Sequence, residues 1–139
     1  MRGLYFLLFV GMTALLFSQV ASAFVLTASA QSPQKLGLVR DHSMSVPIRM
    51  ENLDADAHIV EIYADSNSNS IESTPALEEI ELSPQQAAEF AITFTVSPDA
   101  ENGNYSVTVF VESDGQIISI PYTIYVGSNP FVTITTFNE

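Results

Sequence analysis

Ala88-Glu89-Phe90-Ala91-Ile92-Thr93-Phe94-Thr95-Val96 and Tyr105-Ser106-Val107-Thr108-Val109-Phe110-Val111 decide the fold. Large apolar side chains recur at every second position: Phe90, Ile92, Phe94 and Val96, then Tyr105, Val107, Val109 and Val111. A period of two is extended chain with one apolar face; a helix would repeat near 3.6. The residues are mostly β-branched or aromatic, which suits a pleated, half-buried surface. Ser97 to Gly103, between the two stretches, is rich in turn formers.

The same rhythm extends in both directions. Ile117 to Val126 places Ile118, Ile120, Tyr122, Ile124 and Val126 on one face, and Ser113-Asp114-Gly115 before it is a hairpin turn signal. Upstream, His58 to Ala64 alternates Val60, Ile62 and Ala64 against Ile59, Glu61 and Tyr63. Ser43 to Glu51 carries Val46, Ile48 and Met50 on one side. Pro47 within it has no N–H for a ladder and signals an edge or a bulge. Lys35 to Asp41, Leu77 to Leu82 (with Ile80 and Leu82 inward) and Phe131 to Phe137 are shorter strands. Asp65 to Pro75 is polar and patternless, and is expected to be an exposed loop. The result is an all-β fold, an antiparallel two-sheet immunoglobulin-like sandwich of about 7–8 strands.

A leader precedes it. Arg2, the apolar run Leu4 to Phe17 and the small residues Ala21-Ser22-Ala23 form a signal peptide over residues 1–23. A second cleavage match, Ala28-Ser29-Ala30, would release a chain starting at Gln31. Kept uncleaved, the uncharged stretch Gly3 to Leu26 is a hydrophobic helix long enough to anchor in a bilayer. The sandwich domain is assigned to residues 35–139, and the protein is expected to be exported: extracellular, periplasmic or at the cell surface.

Charge removes several classes of function. Among 139 residues, 16 Asp+Glu oppose 4 Lys+Arg, a formal charge of −12. Beyond Arg2 the cations are Lys35, Arg40 and Arg49. Such a surface repels phosphate backbones, so nucleic acid is excluded as a partner. It has no basic stretch for anionic lipid, so membrane contact is left to the N-terminal segment. The acid excess serves solubility and resistance to self-association, or is an adaptation to salty or acidic surroundings. Without cysteine there are no disulfides, thiolate metal sites or thiol nucleophiles, so the core alone must hold the fold.

Leu82-Ser83-Pro84-Gln85-Gln86, Phe90 to Val96, and Ser97-Pro98-Asp99-Ala100-Glu101-Asn102-Gly103-Asn104-Tyr105 form a connected pattern. It resembles bacterial and archaeal immunoglobulin-like modules of the NEW3 and CARDB type. Val46 to Asn52 with Ala57 to Ala64 is similar to the family's hairpin, so the match spans about residues 43–126. Gln85 stands where the family often has glycine, and Phe131 to Phe137 is an added strand. The resemblance implies a non-catalytic accessory or surface module. Tyr105 is expected to be structural, closing one end of the core with its hydroxyl bonded to nearby backbone, as in a tyrosine corner.

No pattern asks for a cofactor or an active site. His42 and His58 lack triad neighbourhoods, and there is no G-x-S-x-G. Glu79 and Glu81 share a strand face near Glu78, a carboxylate pair without a cleft. No metal site is assigned. Asp65, Asn67 and Asn69 have calcium-like i, i+2, i+4 spacing, but Ser70 and Leu77 stand where an EF-hand needs Gly and Glu. Asn104-Tyr105-Ser106 is a glycosylation sequon. Phe131, Val132, Ile134 and Phe137 form a strand suited either to this sandwich or to a neighbouring subunit, and Phe24 to Thr27 could serve the same exchange. Tyr63, Phe110 and Tyr125 point outward as candidates for a glycan platform. The expected function is a structural or binding module with a protein partner or self-association. The alternatives are a filament or coat subunit built by strand exchange, and a glycan-binding or membrane-protein accessory module.

Overall fold

The computed structural model describes residues 25–128. They form nine strands: β1 (Leu26–Ala30), β2 (Lys35–Val39), β3 (Ser43–Asn52), β4 (His58–Ser66), β5 (Ile71–Pro75), β6 (Glu79–Leu82), β7 (Ala87–Val96), β8 (Gly103–Ser113) and β9 (Gln116–Gly127). One sheet runs β1-β3-β7-β5 and the other β2-β9-β8-β4-β6. Every pairing is antiparallel except β2 with β9. That parallel pair arises because the chain leaves the first sheet after β1 and enters the second at β2.

The alternation built the core it predicted. Val46, Ile48 and Met50 meet Phe90, Ile92, Phe94 and Val96 from one sheet; Val60, Ile62, Val107, Val109, Val111 and Ile124 come from the other, all buried. Each such side chain contributes about 1.5–3 kcal/mol of transfer free energy. The Phe94 and Tyr122 rings pack across the layer at 5.1 Å and 58°. The hairpin signal is a two-residue turn: Asp114 and Gly115 have φ of 47° and 79°, between the paired Ser113 and Gln116. Positive φ at both positions matches the twist of the flanking strands.

Two expectations change and a third is sharpened. Residues 26–30, read as part of the leader, form β1 on β3, and Leu26 is 2% exposed. The sandwich thus starts before Lys35, and Leu26 and Thr27 are spent on this chain's own sheet rather than lent to a neighbour. The expected loop Asp65 to Pro75 holds the end of β4 and all of β5. β5 escapes a pattern search because it is short and buries one large side chain, Ile71. Pro47 needs no bulge, since it pairs Ala91 in unbroken register, but β1 pairs β3 only from Ile48 to Asn52, so Pro47 lies where an interior strand becomes an edge. Its carbonyl accepts from Gln31 N–H just past the end of β1. A residue's N–H and C=O share one side of an antiparallel strand, so the missing donor faces the place where β1 has stopped. The leader and the strand Phe131 to Phe137 lie outside the described residues.

Candidate functional site

One end of the sandwich gathers the β3–β4, β6–β7 and β8–β9 turns and the start of β1. Asn52 continues the inward series of Val46, Ile48 and Met50, but with an amide in the core position. It is 0% exposed, so its polar atoms need partners inside the protein. Nδ2 donates to the carbonyls of Asp56 (2.8 Å), Leu82 (3.1 Å) and Ser83 (3.1 Å), and Oδ1 accepts from Asp54 N–H (2.8 Å). One side chain thus fixes two turns. Gln116 does the same for β1, bonding both N–H and C=O of Leu26.

His58 opens β4 between two carboxylates. Nε2 lies 2.8 Å from Asp54 Oδ2, and Nδ1 lies 2.5 Å from Asp114 Oδ2. To donate to both, the ring must carry both protons. Burial alone would push the His58 pKa down; hydrogen bonds and charge from Asp114 and Asp54 outweigh it and hold it above the ordinary value. Asp54 is held low, first by the N–H of Ala55 and then by His58. A doubly bonded imidazolium ties turns together and has no lone pair to serve as a base.

Gln85 has a left-handed φ of 58°. Glycine takes that conformation freely, while a residue with a Cβ is strained by roughly 1–2 kcal/mol. Its Nε2 offsets the strain by donating to the carbonyls of Leu53 (2.7 Å) and Asp54 (3.0 Å). The departure from the glycine pattern is therefore a substitution of side-chain bonds for backbone freedom.

The opposite end holds the other candidates. Asp65 sits on β4 opposite Thr108, whereas Asn67 and Asn69 follow the strand, so the three do not share one loop. Asn67 Oδ1 accepts from Ser106 N–H at 3.0 Å, and Asn67 N–H donates to Ser106 C=O at 3.1 Å. That oxygen extends the β4–β8 ladder. Among the described residues, no three His, Asp or Glu side chains converge to hold a metal ion. Asn104 is exposed on β8 opposite Tyr125. Tyr105 donates its hydroxyl to the carbonyl of Glu101 at 2.8 Å, as a tyrosine corner does. His42 is exposed, with Nδ1 2.8 Å from the Arg40 carbonyl.

The outward aromatics form no single platform. Tyr63 and Phe110 are cross-strand partners with stacked rings, 5.1 Å apart at 22°. Tyr125 lies beside Asn104 near the other end of β9. Glu79 and Glu81 face outward on β6, opposite Glu61 and Ile59. Phe131, Val132, Ile134 and Phe137 fall outside the described residues.

No family model matches the chain, and no curated protein matches its sequence. Solved structures do resemble it. A family 123 glycoside hydrolase from Clostridium perfringens matches with a TM-score of 0.60 and 13% identity, over 73% of this chain and 27% of that one. The PapD-like domain 7 of human CEP192 matches with a TM-score of 0.51 and 8% identity, over 75% and 84%. Domains 4 and 5 of the S-layer protein SbsC match with a TM-score of 0.50 and 12% identity, over 74% and 53%. The chain spans about a quarter of the hydrolase and half of the S-layer fragment. An enzyme, a human domain and a surface-layer protein share the sandwich and little sequence, so the likeness supports an immunoglobulin-like fold and leaves function to the residues.

Proposed function

We propose that this chain is an exported, non-catalytic immunoglobulin-like module that acts by binding or packing against a protein at the cell surface. The observation carrying the proposal is the use of the interior. Inward side chains of both sheets fill the layer between them, and the two buried polar residues among those described, Asn52 and Ser113, bond backbone carbonyls beside the turns. What remains for function is outer surface. His58 is occupied by two carboxylates, and His42 lies exposed beside its own turn. The leader supports export, and the absence of cysteine leaves stability to the core in any compartment.

The test is to fractionate cells that make the protein, read the mature N-terminus by mass spectrometry, and measure its mass in solution by light scattering. A chain outside the cytoplasm that begins before Leu26 and stays monomeric is expected. A start at Gln31 would strip β1 and uncover Met50, and is not expected of a folded product. Cytoplasmic retention would overturn export, and polymers would replace the module with a filament subunit.

A further inference from the structure

The outer faces of the two sheets differ in kind. On the β1-β3-β7-β5 sheet, small hydroxyls pair across strands, Ser43 with Thr95 and Ser45 with Thr93, at 2.9 and 2.8 Å. On the other sheet, register sets three glutamates in one row: Glu79 of β6 opposite Glu61 of β4, and Glu61 opposite Glu112 of β8. Directly opposed side chains sit roughly 5 Å apart, and like charges there destabilise a sheet. Among the described residues no lysine or arginine is placed to relieve them. Lys35 is on β2 at the far edge, Arg40 is at the opposite end beside Asn102, and Arg49 lies on the other sheet near Glu51.

The row is framed by exposed apolar surface. Ile117 is the cross-strand partner of Glu112 and is 53% exposed; Ile59, opposite Glu81, is 55% exposed. Beside them stands the Tyr63–Phe110 stack, with Tyr63 41% exposed. The Tyr63 hydroxyl donates to Glu112 Oε2 at 2.9 Å, which fixes that carboxylate. The bond to Glu112, with burial and the charge of Glu61 behind it, holds the phenol protonated above its ordinary pKa. Folding alone disfavours both halves of this surface, the opposed carboxylates and the uncovered isoleucines.

We infer that this face, centred on Glu61, Tyr63, Phe110 and Glu112, is the docking surface for a lysine- and arginine-rich polypeptide segment. The inference rests on the binding-module reading and names its partner's chemistry. Long basic side chains match the surface in two ways at once. Their aliphatic stems cover Ile59 and Ile117, while guanidinium groups lie against the aromatic pair and form forked hydrogen bonds to the carboxylates. A metal ion fits less well, because the carboxylates stand in a row across three strands and do not surround a point.

The test titrates the full chain with a fluorescent nine-residue peptide alternating arginine and leucine. An arm with the arginines replaced by glutamate, and an arm with calcium chloride alone, complete it. The double variant Glu61→Gln/Glu112→Gln should weaken binding of the arginine peptide about tenfold or more. Its melting temperature should stay level or rise, because opposed charges have been removed; lost binding through unfolding would show the reverse. Glu51→Gln/Glu89→Gln on the other sheet should leave affinity unchanged. The inference is overturned by no binding, by equal losses in both variants (which would mean general attraction to a chain of charge −12), or by calcium binding at Glu61 in place of the peptide. None of these results touches the module reading, which the fractionation experiment decides separately.

Discussion

The two ends of the sandwich are held by different means. At the Asn52 end, side chains reach between turns far apart in sequence: Asn52 to Leu82, Gln116 to Leu26, His58 to Asp114. At the Tyr105 end, backbone does most of the joining: Asp41 N–H to Val96 C=O, Val96 N–H to His42 C=O, and Ser97 N–H to Ser70 C=O. Its side chains make mostly local bonds, such as Ser68 to Ser70 and Tyr105 to Glu101. A backbone bond survives most substitutions, whereas a buried amide does not. Backbone bonds join the first end as well, Asn52 N–H to Gln86 C=O and Leu53 N–H to Val25 C=O, but its buried amide is the part that substitution would break.

The largest effect should come from Asn52. Asn52→Asp keeps the shape but aims an acceptor at three carbonyls, and should cost about 3 kcal/mol or more in urea unfolding. A loss below 1 kcal/mol would erase the contrast between the ends. Next is the pH dependence of His58. Its folded pKa is raised, so its contribution is complete below the ordinary histidine value of 6.5 and disappears as pH climbs through the raised value. Asp54 is lowered, so its contribution is present above 3.8 and fades as pH falls through the depressed value. Melting temperature should thus be highest in mild acid and decline towards alkaline pH, and His58→Gln should flatten the alkaline limb. An unchanged limb would mean that the clasp holds nothing.

At the opposite end, Tyr105→Phe should cost about 1 kcal/mol, the net worth of one hydrogen bond. Asn67→Ala, leaving an N–H of Ser106 that water can reach, should cost about 0.5 kcal/mol. The smallest change is expected at the first end. Gln85→Gly relieves a left-handed backbone but loses two bonds to Leu53 and Asp54, so the balance should lie within about 0.5 kcal/mol of zero. A large loss there would show that the side-chain bonds outweigh the strain.

How much of this was legible in the sequence varies by residue. The inward set from Val46 to Val126 was readable because a strand's side-chain period depends only on local geometry. Asp114-Gly115 was readable because positive φ at two adjacent residues selects residue types directly. β1 was hidden by a leader whose apolar run continues into Val25 and Leu26. β5 was hidden because an edge strand with one buried residue has no period to detect. Asn52 carried a signal that went unused, an amide in step with three core residues. The His58 clasp had no signal, since its carboxylates lie 4 residues away on one side and 56 on the other.

The sequence by itself determined an all-β sandwich, the side of each long strand that faces inward, and an acidic surface with few cations. Those properties follow from the order and identity of neighbouring residues. Only the tertiary structure decided that Glu79, Glu61 and Glu112 stand in one row, that Pro47 falls where β1 stops, and that one histidine joins two turns. Each depends on strand order and register, which are set by the packing of distant segments against a common core.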